Sequence, residues 1–146
     1  MKILVINGPN LNLLGKRDPL HYGSVTLEKI STGLAKLAKA QHITVKFFQS
    51  NHEGGIIDFL QNNLAKTDGV IINPGALTHY GYSLRDALAD MRLPIVEVHL
   101  SRVEKREPFR RIDALDGIVI KKISGLKEKS YYEGFKYLVK HLNNLL

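Results

Sequence analysis

The sequence of 146 residues predicts an α/β fold, a three-layer sandwich around a five-stranded parallel sheet. Two observations predict it. Five short, β-branched apolar runs recur along the chain and mostly do not alternate with polar residues, as strands buried on both faces require. Between them lie stretches whose apolar residues repeat at helical spacing, so the period switches from strand to helix and back over the whole length.

Taken in order, the strand segments are Lys2–Ile6, Ile43–Phe48, Gly69–Ile72, Ile95–His99 and Gly117–Ile123. The first helical stripe is Leu27, Ile30, Leu34, Leu37 and Ala38, introduced by Thr26 as a capping residue. Ile57, Leu60 and Leu64 mark the second, where Ser50 and Glu53 stand three apart like a capping box. Leu84, Ala87, Leu88 and Met91 mark the third, and Tyr131, Phe135, Leu138, Val139, Leu142 and Leu145 the last. Strand and helix alternating in this way imply right-handed crossovers and a sheet covered on both sides. A flavodoxin-like arrangement in one domain, residues 1–146, is the natural solution at this length. The connection from Asn7 to Val25 is far longer than the usual two to six residues. It carries Asn10, Arg17, His21, Tyr22 and three glycines, and reads as a lid over the carboxyl edge of the sheet.

Composition excludes several function classes. Hydrophobic residues at 44% and charged residues at 24% describe an ordinary folded chain and argue against disorder. There is no cysteine, so disulfides, thiolate catalysis and iron–sulfur ligation are impossible. The apolar run at Met1–Ile6 ends in Asn7-Gly8-Pro9, too short for a signal peptide or membrane span, and a cytoplasmic location is expected. A net charge of +7 implies attraction to anions. The basic residues are scattered and not interleaved with aromatics, which weighs against nucleic acid as the partner.

In an open parallel sheet the ligand crevice lies beyond the carboxyl ends of the strands. Four such ends are rich in amides, imidazoles and carboxylates: Asn7-Gly8-Pro9-Asn10, Gln49-Ser50-Asn51-His52-Glu53, Asn73 to His79, and Glu97 to Ser101. Singly, most would only cap turns; together they suggest a site. Glu97 and His99 are two apart on a strand and so share a face, which makes them an acid–base pair. Other motifs fail on spacing. Six residues separate Gly8 from Gly15-Lys16 where a P-loop has four, and Arg17 replaces the magnesium-binding hydroxyl. A dinucleotide fingerprint is absent, and His52-Glu53 lacks the second histidine of a zinc protease. A metal held by His79, His99 and Asp86 stays open, as do a flavin or nucleotide module on the same fold and a nucleic-acid binder. Asp86 lies about 200° around its helix from Leu84, away from the apolar stripe. There it is either solvated or directed at a neighbouring subunit.

Six segments, N-G-P-N-L-N-L-L-G-K-R, Y-G-S-V-T-L, F-F-Q-S-N-H-E-G, I-N-P-G-A-L-T-H-Y, L-R-D-A-L and V-E-V-H-L-S, followed by R-E-P-F-R, resemble type II 3-dehydroquinate dehydratases in order and spacing. They cover roughly residues 2 to 111. Arg102, where the family often has Asn, Gly81, where Ser is frequent, and the lysine-rich stretch from Ile112 to Lys129 depart from the pattern.

The resemblance implies conversion of 3-dehydroquinate to 3-dehydroshikimate by anti elimination through an enolate, with no cofactor, metal or Schiff base. It also implies a dodecamer built from trimers. Carried onto this sequence, Tyr22 resembles the base and Arg17 the cation that favours its phenolate. A tyrosine ordinarily keeps its proton to about pH 10, so such a cation is chemically required. By resemblance Asn10, with the backbone around Pro9, holds a water against the enolate oxygen. His99 protonates the departing hydroxyl and Glu97 keeps it in place. Asn73, His79 and Arg110 resemble the contacts to substrate hydroxyls, and the amides of Leu100 and Ser101 those to its carboxylate. Arg106 resembles a partner of the closed lid, and Asp86 a contribution from an adjacent subunit.

Overall fold

The structure, a computed structural model, describes residues 1–146. Five parallel strands, β1 (Lys2–Asn7), β2 (Thr44–Gln49), β3 (Gly69–Asn73), β4 (Ile95–His99) and β5 (Lys121–Ser124), lie in the order β2-β1-β3-β4-β5. This is the strand order of flavodoxin-like sheets, whose order reverses between β1 and β3 and opens a crevice there. A short helix α1 (Pro19–Tyr22) precedes α2 (Leu27–Ala40), α3 (Glu53–Asn63), α4 (Tyr82–Asp90) and α5 (Lys129–Leu145).

Burial on both faces explains why β1, β3 and β4 do not alternate, whereas the edge strands β2 and β5 are partly exposed. Ile3 and Val5 of β1, Ile71 of β3, and Val96 and Val98 of β4 pack into one core with Ile30 and Leu34 of α2 and Phe135 and Leu138 of α5. Leu4, Ile6, Val70, Ile72 and Ile95 point the other way, onto Ile56 and Leu60 of α3 and Leu84 and Leu88 of α4. By this parity Glu97 and His99 lie on the α3/α4 face, whereas Asn7 and Asn73 face α5. No helix is long and apolar enough to cross a membrane.

Four local expectations are corrected. The last strand starts at Lys121 rather than Gly117, because Asp113 to Ile118 close two tight turns and Gly117 takes a left-handed φ of 84°. The buried stripe of α3 is Ile56, Leu60 and Asn63; Leu64 ends the helix and is exposed. Leu145 is exposed at the end of α5. Ser50 and Glu53 form no capping box. His52 stands at the N-cap of α3, and the Glu53 carboxylate accepts the backbone N–H of Leu84 at 3.0 Å, capping α4 from a neighbouring helix. Gly81 at the N-cap of α4 has no side chain for that task.

Candidate active site

At the reversal point the exits of β1 and β3 interlock. The Gly8 N–H donates to the Asn73 carbonyl at 2.8 Å, and a Cβ on Gly8 would lie 2.2 Å from the Pro74 carbonyl oxygen. Only glycine permits that approach. Below it, the fully buried Tyr131 of α5 donates its hydroxyl to Asn7 Oδ1 at 2.6 Å and accepts from Asn73 Nδ2 at 2.9 Å. Asn73 Oδ1 in turn accepts the Gly75 N–H at 3.2 Å. Both turns are thereby pinned over one helix.

A cavity of about 130 Å3 opens above these turns. It is lined by Asn10, Arg17, Tyr22, Asn73, His79, His99, Leu100, Ser101, Arg106 and Arg110, together with Pro9, Leu11, Gly75, Ala76 and Val103. Its lining, rich in amides, imidazoles and guanidinium groups, suits a compact polar molecule. Ten of the twelve residues expected at the site therefore line one cavity. Glu97 sits beneath, in contact with His99. Asp86 is exposed on α4 and is not among the lining residues, so His79, His99 and Asp86 do not gather as metal ligands.

The exit of β2 does not reach the cavity. Gln49 Nε2 donates to the Gly8 carbonyl at 3.2 Å, and Asn51 Oδ1 accepts the Asn10 N–H at 3.0 Å. These side chains brace the β1 turn from outside. Asn10 itself is in the left-handed region at φ 69°, a conformation asparagine tolerates better than most residues.

The long loop divides in two. Leu11 and Leu14 are buried in the core and anchor its first half. Gly15 and Gly23, at φ 91° and 73°, bracket the outer half, which carries Arg17 and Tyr22. There the phenolic oxygen of Tyr22 accepts Nη2 of Arg17 at 2.9 Å and Nη1 of Arg106 at 2.8 Å, while the Arg17 guanidinium stacks 3.8 Å from the ring centre. Two cationic donors on one oxygen stabilise negative charge there. Lys127 ties the flap to the rest of the chain by donating to the carbonyls of Pro19 and Leu20.

In the same cavity His99 Nε2 meets Glu97 Oε1 at 2.6 Å, and both residues are buried. His79 has the complementary polarity. Its Nδ1 meets the Ile112 carbonyl at 2.6 Å, which places the ring proton there, and its buried Nε2 has no partner. Burial, aided by the nearby Arg110 guanidinium and His99, holds His79 below the usual imidazole range against the opposing pull of the Ile112 carbonyl. It thus presents an acceptor to the cavity. The N–H groups of Leu100 and Ser101 make no hydrogen bond within the chain, leaving two adjacent donors for an anion. Arg110 gives its Nε to Glu107 at 2.6 Å and keeps its other N–H groups for the cavity.

The family model for class II dehydroquinases matches residues 1–139. The chain belongs to the class II dehydroquinase family. It is 53% identical over 139 residues to the 3-dehydroquinate dehydratase of Roseiflexus castenholzii, covering 95% of this chain and 88% of that protein. With the 3-dehydroquinate dehydratase of Halothermothrix orenii it shares 48% over 145 residues, 99% of this chain and 95% of the other. The crystal structure of type II dehydroquinase from Butyrivibrio crossotus superimposes with a TM-score of 0.92 at 45% identity, covering 95% and 97% of the two chains.

The residues that support the site carry no signal in the sequence. Thr78 lies within the A-L-T-H-Y motif, and its hydroxyl is 2.5 Å from Glu97 Oε1. Asp113 and Lys122 lie in the stretch that departs from the family pattern, where no motif could flag them. Apolar spacing marks Tyr131 only as core, whereas its hydroxyl carries the Asn7–Asn73 bridge.

Proposed function

We propose that this chain is a 3-dehydroquinate dehydratase, a hydro-lyase of the shikimate pathway, with residues 1–146 forming one dehydroquinase domain. The observation that carries the reading is the Tyr22 oxygen held between two guanidinium groups in the same cavity as the His99–Glu97 pair. In the proposed reaction the Tyr22 phenolate removes a proton from the carbon next to the ketone. The electron pair moves onto the ketone oxygen, and Asn10 with the backbone around Pro9 supports a water against that enolate oxygen. As the enolate collapses, the bond to the hydroxyl breaks and His99 donates a proton to it, so water leaves. A conjugated enone remains, with no change of oxidation state. Tyr22 ends protonated and His99 deprotonated, and proton transfer restores both.

Binding roles follow from polarity. The His79 Nε2 lone pair, the remaining Asn73 amide hydrogen and Arg110 take substrate hydroxyls; the Leu100 and Ser101 amides take the carboxylate. Arg106 holds the flap closed through Tyr22. Asp86 enters a neighbouring subunit's site in a dodecamer of trimers in the cytoplasm. Support for the assembly comes from Tyr80 and Tyr82, 59% and 65% exposed at the start of the helix that carries Asp86, because interfaces are enriched in such aromatic side chains.

The test is to mix purified protein with 3-dehydroquinate and follow the ultraviolet absorbance of the enone. Absorbance should rise without added metal or nucleotide; no change would defeat the proposal.

A further inference from the structure

Glu97 is fully buried, yet one of its oxygens does all the work. Oε1 meets His99 Nε2 at 2.6 Å and the Thr78 hydroxyl at 2.5 Å, while Oε2 has no partner. A buried carboxylate so sparsely partnered depends on the few donors that reach it. Several groups surround it. His99 shares β4, and Thr78 and His79 belong to the turn after β3. Lys122 is its register partner on β5, and Asp113 approaches from the preceding loop. Arg85 of α4 spends its guanidinium on the carbonyls of Ala114 and Asp116, Glu53 caps α4, and Glu104 acts on Lys122 from further out. The cation joined to this network is Lys122, whose Nζ donates to Asp113 Oδ2 at 2.7 Å.

Thr78 has one hydroxyl proton and two carboxylates within reach, Glu97 at 2.5 Å and Asp113 at 3.1 Å. Asp113 does not need that proton, because Oδ1 already accepts the Leu115 N–H at 2.9 Å and Oδ2 has Lys122. We propose that Asp113 and Lys122 are positioning residues, whose ion pair leaves the Thr78 hydroxyl free to hold Glu97 as a carboxylate against His99. Burial opposes the charge on both partners. Their mutual hydrogen bond prevails, with Asp113 held below the usual carboxylate range and Lys122 above the usual amine range. The inference rests on His99 as the proton donor of the proposed reaction.

Removing the cation leaves two carboxylates sharing one hydroxyl, and such a pair retains a proton. Glu97 then no longer supports a protonated His99. In Lys122→Met the alkaline limb of the kcat–pH profile should move to lower pH by about one unit, a roughly tenfold loss on that limb, with KM changed less than about twofold. Adding Asp113→Asn removes the surplus carboxylate and should return the limb to its original place, a rescue that a merely structural role would not give. An unmoved limb in Lys122→Met, or a double variant as impaired as the single one, overturns the proposal. Enone production by the parent protein in the same assay separates this failure from failure of the dehydratase reading. The pair is also read without substrate by 13C NMR of the Glu97 and Asp113 carboxyl carbons. One proton retained at neutral pH in Lys122→Met and none in the parent supports it; identical titrations overturn it.

Discussion

Arg106 Nη1 lies 2.8 Å from the phenolic oxygen of Tyr22, although 84 residues separate them in the chain. The contact joins the outer half of the flap to the loop after β4 and places a second cation on an oxygen that Arg17 already contacts. Both donors point at the oxygen, and none of its hydrogen bonds has it donating. Negative charge developing on that oxygen would meet two cationic donors already in place.

Tyr22→Phe should therefore lower kcat by about 10²–10⁴-fold, the usual contribution of a positioned base. Arg17→Ala should likewise remove most of the turnover. Arg106→Ala leaves one donor and should cost roughly 10²-fold. Circular dichroism should show all three folded; an active Tyr22→Phe enzyme contradicts the assigned base.

Gly8→Ala should fail differently. The new methyl would sit 2.2 Å from the Pro74 carbonyl oxygen, so the two turns must separate. Overpacking of this kind costs about 1–3 kcal/mol. Urea denaturation should register that loss, and kcat should fall because Asn10 moves with the turn.

Glu53→Ala tests the cap supplied across helices. The Leu84 N–H loses its acceptor, and the expected cost is about 1 kcal/mol in unfolding free energy. KM and kcat should stay within about twofold, since Glu53 does not line the cavity.

His79 predicts a pH dependence of stability. Its folded pKa is below the ordinary 6.5, so in the window between them the unfolded chain binds a proton that the folded chain does not. The contribution is complete above 6.5 and is lost as pH falls from 6.5 toward the folded value. His79→Gln should flatten that part of a denaturation-midpoint profile; an unchanged slope contradicts the assignment.

Strand runs were legible because burial on both faces demands unbroken apolar sequence, and Glu97 with His99 stood out as the polar exception in one such run. At the β2 exit Gln49 and Asn51 have the composition of a site but brace a turn. Amides serve both purposes equally well, and composition does not separate them. The α3 stripe ends on Asn63, which is buried by bonding to Lys46 and the Phe59 carbonyl, and apolar periodicity does not register such a residue.

By itself the sequence determined the α/β alternation, the edge of the sheet where chemistry gathers and the family, because each is written in local spacing or contiguous motifs. Only the tertiary structure decided which polar residues meet. Arg106 reaches Tyr22, Thr78 reaches Glu97, and Lys122 meets Asp113 across chain separations that spacing does not encode. Hydrogen bonds and ion pairs act over about 3 Å, and that distance is set by how strands register and loops pack.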